Sequence, residues 1–468
     1  MIMQIPREIK YIMQYIFKNN YKVFIIGGAV RNSLLNIKIY DWDLVANTKP
    51  KNIINIFNNY KVIPTGLQHG TVTVIINNIS VQITSMRKDG VYKDNRSPEE
   101  VFFTNSLKED VARRDFTINS IAIDVNRNVY DYFGGLKDIE NKIIRAVGKA
   151  EDRFNEDALR LIRCIRFSCQ HDFTIEKNTF QAIIKNAYLI QMTSKERIRD
   201  ELCKILMSDN PSKGIRLLQE TGLLQYIIPE LCDCVGFKQC NPNHDKDVFE
   251  HIISVLNNTP KILNVRLSAL LHDIAKPKCF TLDDNGIGHF YYHHIEGEKL
   301  TEEILFRLKF DNKTINDVKI LVREHMFNFS EKGKIKTSVI KKFMNRVGID
   351  NLENLFCLRI ADIKGSKNKD QNKIDNVMFL VGECHRIVSE KQPLTVKDLA
   401  INGKDLIDIG IQPGIKMGQI LSDLLERVLD NPELNDKEML LYLVKEKYSI
   451  KIINSEILMY QKLIESFN

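Results

Sequence analysis

Val23-Phe24-Ile25-Ile26-Gly27-Gly28-Ala29-Val30-Arg31-Asn32, followed after seven residues by Tyr40-Asp41-Trp42-Asp43-Leu44-Val45, is the stretch on which the fold turns. Four apolar, β-prone residues ending in paired glycines read as a strand running into a tight turn. Glycine has no Cβ, so such a turn can bring backbone N–H groups against a triphosphate. On a strand, residues two apart face the same way, which projects Asp41 and Asp43 together and turns Trp42 to the opposite, buried side. Two carboxylates on one face suit two divalent cations, one activating an attacking hydroxyl and one stabilising a departing pyrophosphate. A Gly-Gly or an Asp-x-Asp alone is weak, because aspartates beside turns are usually solvated or capping. Strand, glycines, Arg31 and the aspartate pair in this order are far rarer by chance.

Outward from this stretch, residues 21–131 read as α/β. Strands are expected at 22–26, at Thr71–Ile76, at 80–84 after an Asn77-Asn78 turn, and at 118–125. After Arg153 the apolar period changes to 3.6, as in Ala158, Leu159, Ile162, Ile165 and Phe167, and stays helical almost to the end. The polar stretch 365–373 is the clearest linker. A chain of 468 residues suggests roughly three domains, at about 150 residues each.

Hydrophobic residues at 44% and charged residues at 27% give the balance of a soluble globular protein rather than a disordered one. The longest apolar runs fall far short of the roughly 20 residues that cross a bilayer. Residues 1–10 lack a signal-peptide layout. A cytoplasmic location is expected, with no membrane partner. Basic residues exceed acidic ones by seven, which suits a polyanionic partner without proving one. The nine cysteines are expected to be free thiols. Cys232, Cys234, Cys240 and His244 approach a zinc pattern, but C-x-C is not the usual structural spacing, so they are read as ordinary side chains. The P-loop pattern is absent, and Gly410 to Gly414 do not supply it, which disfavours a P-loop kinase or ATPase.

The pattern of the first stretch resembles the tRNA nucleotidyltransferases, or CCA-adding enzymes, of the class that also contains bacterial poly(A) polymerases, within the polymerase-β-like superfamily. The likeness continues through His69-Gly70-Thr71-Val72, then Arg113-Arg114-Asp115-Phe116-Thr117-Ile118-Asn119-Ser120, Asp131-Tyr132-Phe133-Gly134-Gly135, and Arg153-Phe154-Asn155-Glu156-Asp157 to Arg160. It extends over essentially the whole chain. The resemblance implies an α/β nucleotidyltransferase head at 1–150, a helical neck with a base-recognition helix at 151–235, an HD-type metal-binding helical domain at 236–365, and a helical, tRNA-contacting tail at 366–468. It implies Mg²⁺ at the catalytic Asp41 and Asp43, CTP and ATP as substrates, and tRNA as partner. Nucleotide contacts fall on Gly27, Gly28, Arg31, Arg114, Asp115, Asn119, Asp157, Arg160, Arg163 and Arg166, with Asp115 accepting from a ribose 2′-OH. Two positions depart from the pattern. Asn32 stands where the family usually has Asp, and Gln82 where many members carry a third carboxylate. An amide cannot replace a carboxylate's charge at a metal, so either two aspartates suffice or catalysis is slower.

The family's E-D-x-x-R motif falls on Glu156, Asp157 and Arg160. A helix starting near Asn155 would put Asp157 and Arg160 at i and i+3, within reach of neighbouring points. Ionised Asp only accepts hydrogen bonds and Arg only donates. Cytosine and adenine both present an amino donor beside a ring-nitrogen acceptor, whereas uracil and guanine present the reverse, so the pair fits C and A without a template. In isolation, such a motif would read as a helical salt bridge. Arg163 and Arg166 continue the strip, toward phosphate or merely solvent.

Seven of the ten histidines lie between 244 and 325. Within that span Leu271-His272-Asp273-Ile274-Ala275-Lys276 stands out, with His251 before it and His293, His325 and Asp362 after it. Imidazoles with carboxylates suit a transition metal or Mg²⁺. The set resembles the HD phosphohydrolase domain, which implies His251, His272, Asp273 and Asp362 as metal ligands and His293 (or His294) and His325 as secondary ligands or phosphate contacts. A lone helical His is usually packed or at the surface, and His244 and His289 are read that way. Glycines along 399–418 resemble the family's tail, as phosphate-facing helix starts or simple helix stops. Rival readings are a poly(A) polymerase, a partial enzyme adding only CC or only A, and an HD phosphohydrolase with a nucleotide-binding head.

Overall fold

The computed structural model describes residues 3–67, 70–90, 101–241, 246–329, 335–367 and 370–449. His69 and His244 lie outside them. The opening run forms β1 (Val23–Ile26), buried at every position. It joins β2 (Trp42–Ala46), β3 (Lys61–Gly66), β4 (Thr71–Ile76), β5 (Ile79–Ser85), β6 (Ala122–Asp124) and β7 (Val129–Tyr130) in one sheet of order β3-β4-β5-β2-β1-β6-β7. Every pairing in it is antiparallel except β2–β5. Asn77 and Asn78 turn β4 into β5 with φ of 48° and 64°, a left-handed pair that asparagine tolerates and that matches the twist of a hairpin. The expected strand at 118–125 begins only at Ala122. Before it, Thr117–Asn119 close a 3₁₀ turn, on which the Ser120 hydroxyl donates to the Thr117 carbonyl at 2.8 Å.

Helix α1 (Arg7–Lys18) lays Ile9, Ile12, Met13 and Ile16 against the sheet, and α2 (Gly28–Leu34) follows β1 directly. The helix expected near Asn155 is two helices, α3 (Ala150–Glu156) and α4 (Leu159–His171). Asp157 separates them with an extended φ of −142°, and its carboxylate takes the Leu159 N–H at 3.1 Å, the short-range bond that makes Asp a better cap than helix interior. Beyond lie α5 (Lys195–Leu206), α6 (Val248–Asn257), α7 (Leu263–Leu271), the hairpin β8–β9 (Phe280–Leu282 and Gly288–Phe290), α8 (His293–Arg307), α9 (Asn312–Glu324) and α10 (Ile349–Gly365). Residues 366–367 and 370 separate α10 from the next helix, Gln371–Ser389, where the linker was expected. In the tail Gly403 and Gly414 stand at helix starts and Gly410 just beyond a helix end.

The sheet's apolar residues form their own clusters, from Met3 to Ile123. One larger core runs from Phe116 to Val444 and unites the helices from α3 onward. Among the described residues, no helix is long and apolar enough to cross a membrane.

Candidate functional site: a carboxylate pair in the head and a buried histidine cluster

Asp41 is exposed at the mouth of β2, Asp43 is half-buried on it, and Trp42 between them is buried at 6% exposure. The parallel register sets Gln82 of β5 beside Asp43, so the amide stands where a third carboxylate would complete the face. Burial raises the Asp43 carboxyl above its ordinary value and Asp41 adds to this, while Arg114 opposes it. Gly27 turns with φ +73°, and a Cβ there would meet Arg114 Nη1 at 3.3 Å. Only glycine meets both the backbone and the space requirement.

Arg31 is 9% exposed and donates to Asn119 Oδ1 and, through Nε and Nη2, to Asn32 Oδ1 at 3.2 and 2.9 Å. Those acceptors are neutral amides. Burial pulls the guanidinium down to about 10, and it remains a buried cation whose bonded side-chain partners carry no charge. Its neighbours are neutralised. Arg163 bonds Asp115, Arg166 bonds Glu201 at 3.3 Å, Arg160 bonds Glu156 at 2.7 Å and Arg197 bonds Asp157 at 3.0 Å. Arg31, Arg163 and Arg166 gather round the Phe167 ring, 4.9, 5.4 and 4.1 Å from its centroid.

Three expectations need correction. Asp157 and Arg160 do not pair: Arg160 is held by Glu156 and the Arg153 and Arg113 carbonyls, because the break after α3 swings Asp157 toward Arg197 of α5. Arg166 does not reach solvent; it is buried against Glu201, and burial lowers it to about 10. Asp115 offers no free face, since its oxygens accept from the Phe116 N–H, Asn119 and Arg163. Burial alone would raise that carboxyl, but Arg163 and Asn119 hold it well below the usual range. Phe167, Arg197 and Glu201 were not foreseen, because on sequence Phe167 is an ordinary core position and the other two sit on an ordinary charged helix face.

The histidine cluster is built differently. His251 comes from α6, His272 and Asp273 from the end of α7, His293 from the start of α8, His325 from the end of α9 and Asp362 from α10. His251 Nε2 lies 3.1 Å from Asp362 Oδ1 and 3.3 Å from His272 Nε2; His293 Nε2 lies 3.4 Å and His325 Nε2 3.8 Å from Asp273 Oδ1. Two groups of three follow, His251, His272 and Asp362, and Asp273, His293 and His325, each with ligand atoms within 4.8 Å of one another. In three of the rings Nδ1 meets a backbone carbonyl: His272 with Ala269 at 2.9 Å, His293 with Phe290 at 2.7 Å and His325 with Val322 at 2.6 Å. Those bonds fix Nδ1 as the donor and turn each Nε2 lone pair inward, the support expected of metal-ligating imidazoles. His293 Nε2 is buried with no hydrogen-bond partner. Asp273 links the two groups, its Oδ2 lying 3.4 Å from His251 Nε2 and 3.3 Å from His272 Nε2, and each group offers three atoms suited to a divalent cation. His294 joins neither group, and His289 bonds Asp283 at 2.9 Å. Among the described residues, Cys232, Cys234 and Cys240 belong to no metal-sized group.

Three family descriptions match the chain: Poly A polymerase head domain over residues 23–145, Probable RNA and SrmB- binding site of polymerase A over 172–234, and tRNA nucleotidyltransferase domain 2 putative over 289–444. A CCA-adding enzyme of Ligilactobacillus salivarius is 32% identical over 455 residues, covering 96% of this chain and 99% of the relative. One from Streptococcus thermophilus is 29% identical, covering 93% and 95%. A Bacillus stearothermophilus CCA-adding enzyme, solved in complex with CTP, superposes with a TM-score of 0.69 at 25% identity over 94% of this chain and 97% of that one.

Proposed function

The chain belongs to the CCA-adding enzymes, a family of metal-dependent nucleotidyltransferases, and from that premise we propose that it adds C, C and A to the 3′ end of tRNA from CTP and ATP. The observation that carries this reading is the pair Asp41 and Asp43 at the start of β2, close enough that Asp41 raises the Asp43 carboxyl, with half-buried Arg114 acting on Asp43 and lying beside Gly27. Divalent cations, which we take to be Mg²⁺, supply charge at the attacking hydroxyl and the leaving pyrophosphate when bound by that pair. Arg31, with only amides to satisfy it, binds triphosphate oxygens, and Gly27 and Gly28 let the backbone approach them. The terminal tRNA hydroxyl then attacks the α-phosphorus, its P–O bond forms as the bond to pyrophosphate breaks, and the hydroxyl proton leaves to solvent.

Base choice rests on Asp157 as acceptor and Arg160 as donor. Each is clamped separately, Asp157 by Arg197 and Arg160 by Glu156, so the two present fixed, opposite hydrogen-bonding ends. Asp115 acts by holding Arg163 and Asn119 in register. We divide the chain functionally at 150, 235 and 365, as head, neck, metal-binding body and tail, and assign it to the cytoplasm. Purified protein incubated with tRNA lacking CCA and each labelled NTP tests the reading. Incorporation of C, then A, is expected; runs of A alone would favour a poly(A) polymerase, and C or A alone a partial enzyme.

The histidine cluster supports a second activity, metal-dependent phosphoester hydrolysis. A bound divalent cation there would lower the pKa of its water toward neutrality. Water adds to phosphorus as one P–O bond breaks, and a cyclic 2′,3′-phosphate opens to a monoester. His293 and His325, whose Nε2 atoms lie 3.4 and 3.8 Å from Asp273 Oδ1, would help hold the cation or orient the water, and the leaving oxygen takes its proton from solvent.

A further inference from the structure

Phe167 stands where the neck meets the head. Arg163, Phe167 and His171 are spaced four residues apart on α4 and so share one face of the helix. That face turns to the head. Arg163 Nε reaches Asp115 at 3.0 Å, and the Phe167 ring meets the Phe116 ring edge-on, with centroids 5.7 Å apart and planes at 80°. From the head, Arg31 on α2 brings its guanidinium to 4.9 Å from the Phe167 centroid. Both side chains are buried, so they meet out of water.

Three guanidiniums converge on this ring, and two of them are bonded to an acid: Arg163 to Asp115 and Arg166 to Glu201. Arg31 is bonded to the amides of Asn32 and Asn119. Asp115 lies near enough to favour its charge but is taken by Arg163 and Asn119, while Arg163 and Arg166 repel it. His171 adds no fourth charge. Its ring lies within 9° of parallel to Phe167 at 6.0 Å, both its nitrogens are buried without a hydrogen-bond partner, and burial holds its pKa down to about 4. Phe173 closes the aromatic column, 5.8 Å from His171. In such a desolvated setting a guanidinium is attracted to a ring more strongly than at the surface. A carboxylate there would bond the guanidinium and compete with a phosphate. A π-face holds the cation without presenting an anion that a phosphate must displace.

Resting on the reading of Arg31 as a triphosphate contact, we propose that Phe167 is a positioning residue for nucleotide binding, its π-face holding Arg31 in place while leaving the guanidinium charge for the incoming triphosphate. The effect falls on phosphate and not on base. CTP and ATP bring the same triphosphate, so both depend on the ring alike, and the choice made at Asp157 and Arg160 is untouched. A neck residue thereby becomes part of the head's phosphate site.

The test replaces Phe167 by phenylalanines bearing one, two and three ring fluorines, which draw charge from the π-face and change its shape little. Full-length protein is titrated calorimetrically, with Mg²⁺ in excess, with the α,β-methylene analogues of CTP and ATP and with inorganic tripolyphosphate. Thermal midpoints verify that each variant is folded; if the trifluoro form is not, the slope is read from the other two. Affinity for all three probes should fall in steps, by about tenfold over the series, with the ratio of the CTP to the ATP analogue unchanged. In an Arg31→Ala background all three should bind more weakly and the fluorine steps should vanish. A flat series, with Arg31→Ala still weakening binding, reduces Phe167 to packing and leaves the Arg31 reading standing. Steps that persist without Arg31 assign the effect to another cation and overturn the proposal. If Arg31→Ala leaves tripolyphosphate binding intact, the reading of Arg31 fails and the proposal falls with it.

Discussion

The head and the histidine cluster gather polar side chains in opposite ways. In the head two carboxylates face outward, one exposed and one half-buried, backed by arginines paired with other acids except at Arg31. In the cluster His251, His272, Asp273, His293 and His325 are buried and Asp362 nearly so, and three imidazoles are oriented by backbone carbonyls. On our proposal the head is completed by its substrate, whose triphosphate would answer Arg31 and add ligands to a cation held by Asp41 and Asp43. The cluster is complete without one. Substrate-borne ligands let one open face serve successive nucleotides, whereas a preorganised site binds its metal first.

That contrast breaks if the two sites are not independent. Asp273→Ala should abolish metal uptake by the cluster and with it phosphoester hydrolysis, while nucleotide addition to an intact acceptor continues near wild type. Calorimetry with Mn²⁺ beside a hydrolysis assay checks both. Hydrolysis persisting in that variant would point to a contaminant.

Base choice should respond next. Asp157→Ala, and separately Arg160→Ala, should narrow the preference for C and A over U and G by about 10- to 100-fold, the scale of one well-made base-edge contact. Triphosphate affinity should change much less. Incorporation of all four NTPs on a mini-helix acceptor measures both, and an unchanged preference in both variants removes the reader.

The cluster's metal affinity should follow pH. Burial lowers the His272 pKa, yet Asp273 and Asp362 beside it raise it overall, so metal must displace a proton held more tightly than usual. Affinity is then full at alkaline pH and falls as pH drops through the raised value, by up to about tenfold per unit for each proton displaced. Flat affinity from pH 8 to 5.5 would contradict the ligand assignment. Asn32→Asp is the smallest effect. A carboxylate at that position would neutralise Arg31 and raise the KM for nucleotide by about threefold to tenfold, with kcat less affected; steady-state kinetics with CTP decides it.

Much of the architecture was legible because it rests on short-range rules. The apolar run 23–26, the Asn77-Asn78 turn and the alternation that buries Trp42 between two aspartates are all local. Ligand-type residues also announce themselves by chemistry, which is why His251, His272, Asp273, His293, His325 and Asp362 could be named although up to 111 positions separate them. Partnerships were not legible. Nothing local indicates that Asp157 would leave the helix for Arg197, that Phe167 would seat three guanidiniums, or that Arg166 would be buried against Glu201. Those choices are made when α4 and α5 pack together and each buried cation must find an acceptor.

The most direct measurement is the sequence of tRNA 3′ ends after incubation of acceptor lacking CCA with all four NTPs, for wild type and Asp43→Ala in parallel. We predict that wild type yields ends extended by C, C and A and then stops. Folded Asp43→Ala should be slower by at least about 10³-fold, on the order of the several kcal/mol that a metal contributes to the transition state. Near-normal extension by Asp43→Ala, or wild-type ends lacking the C-C-A order, would contradict the assignment.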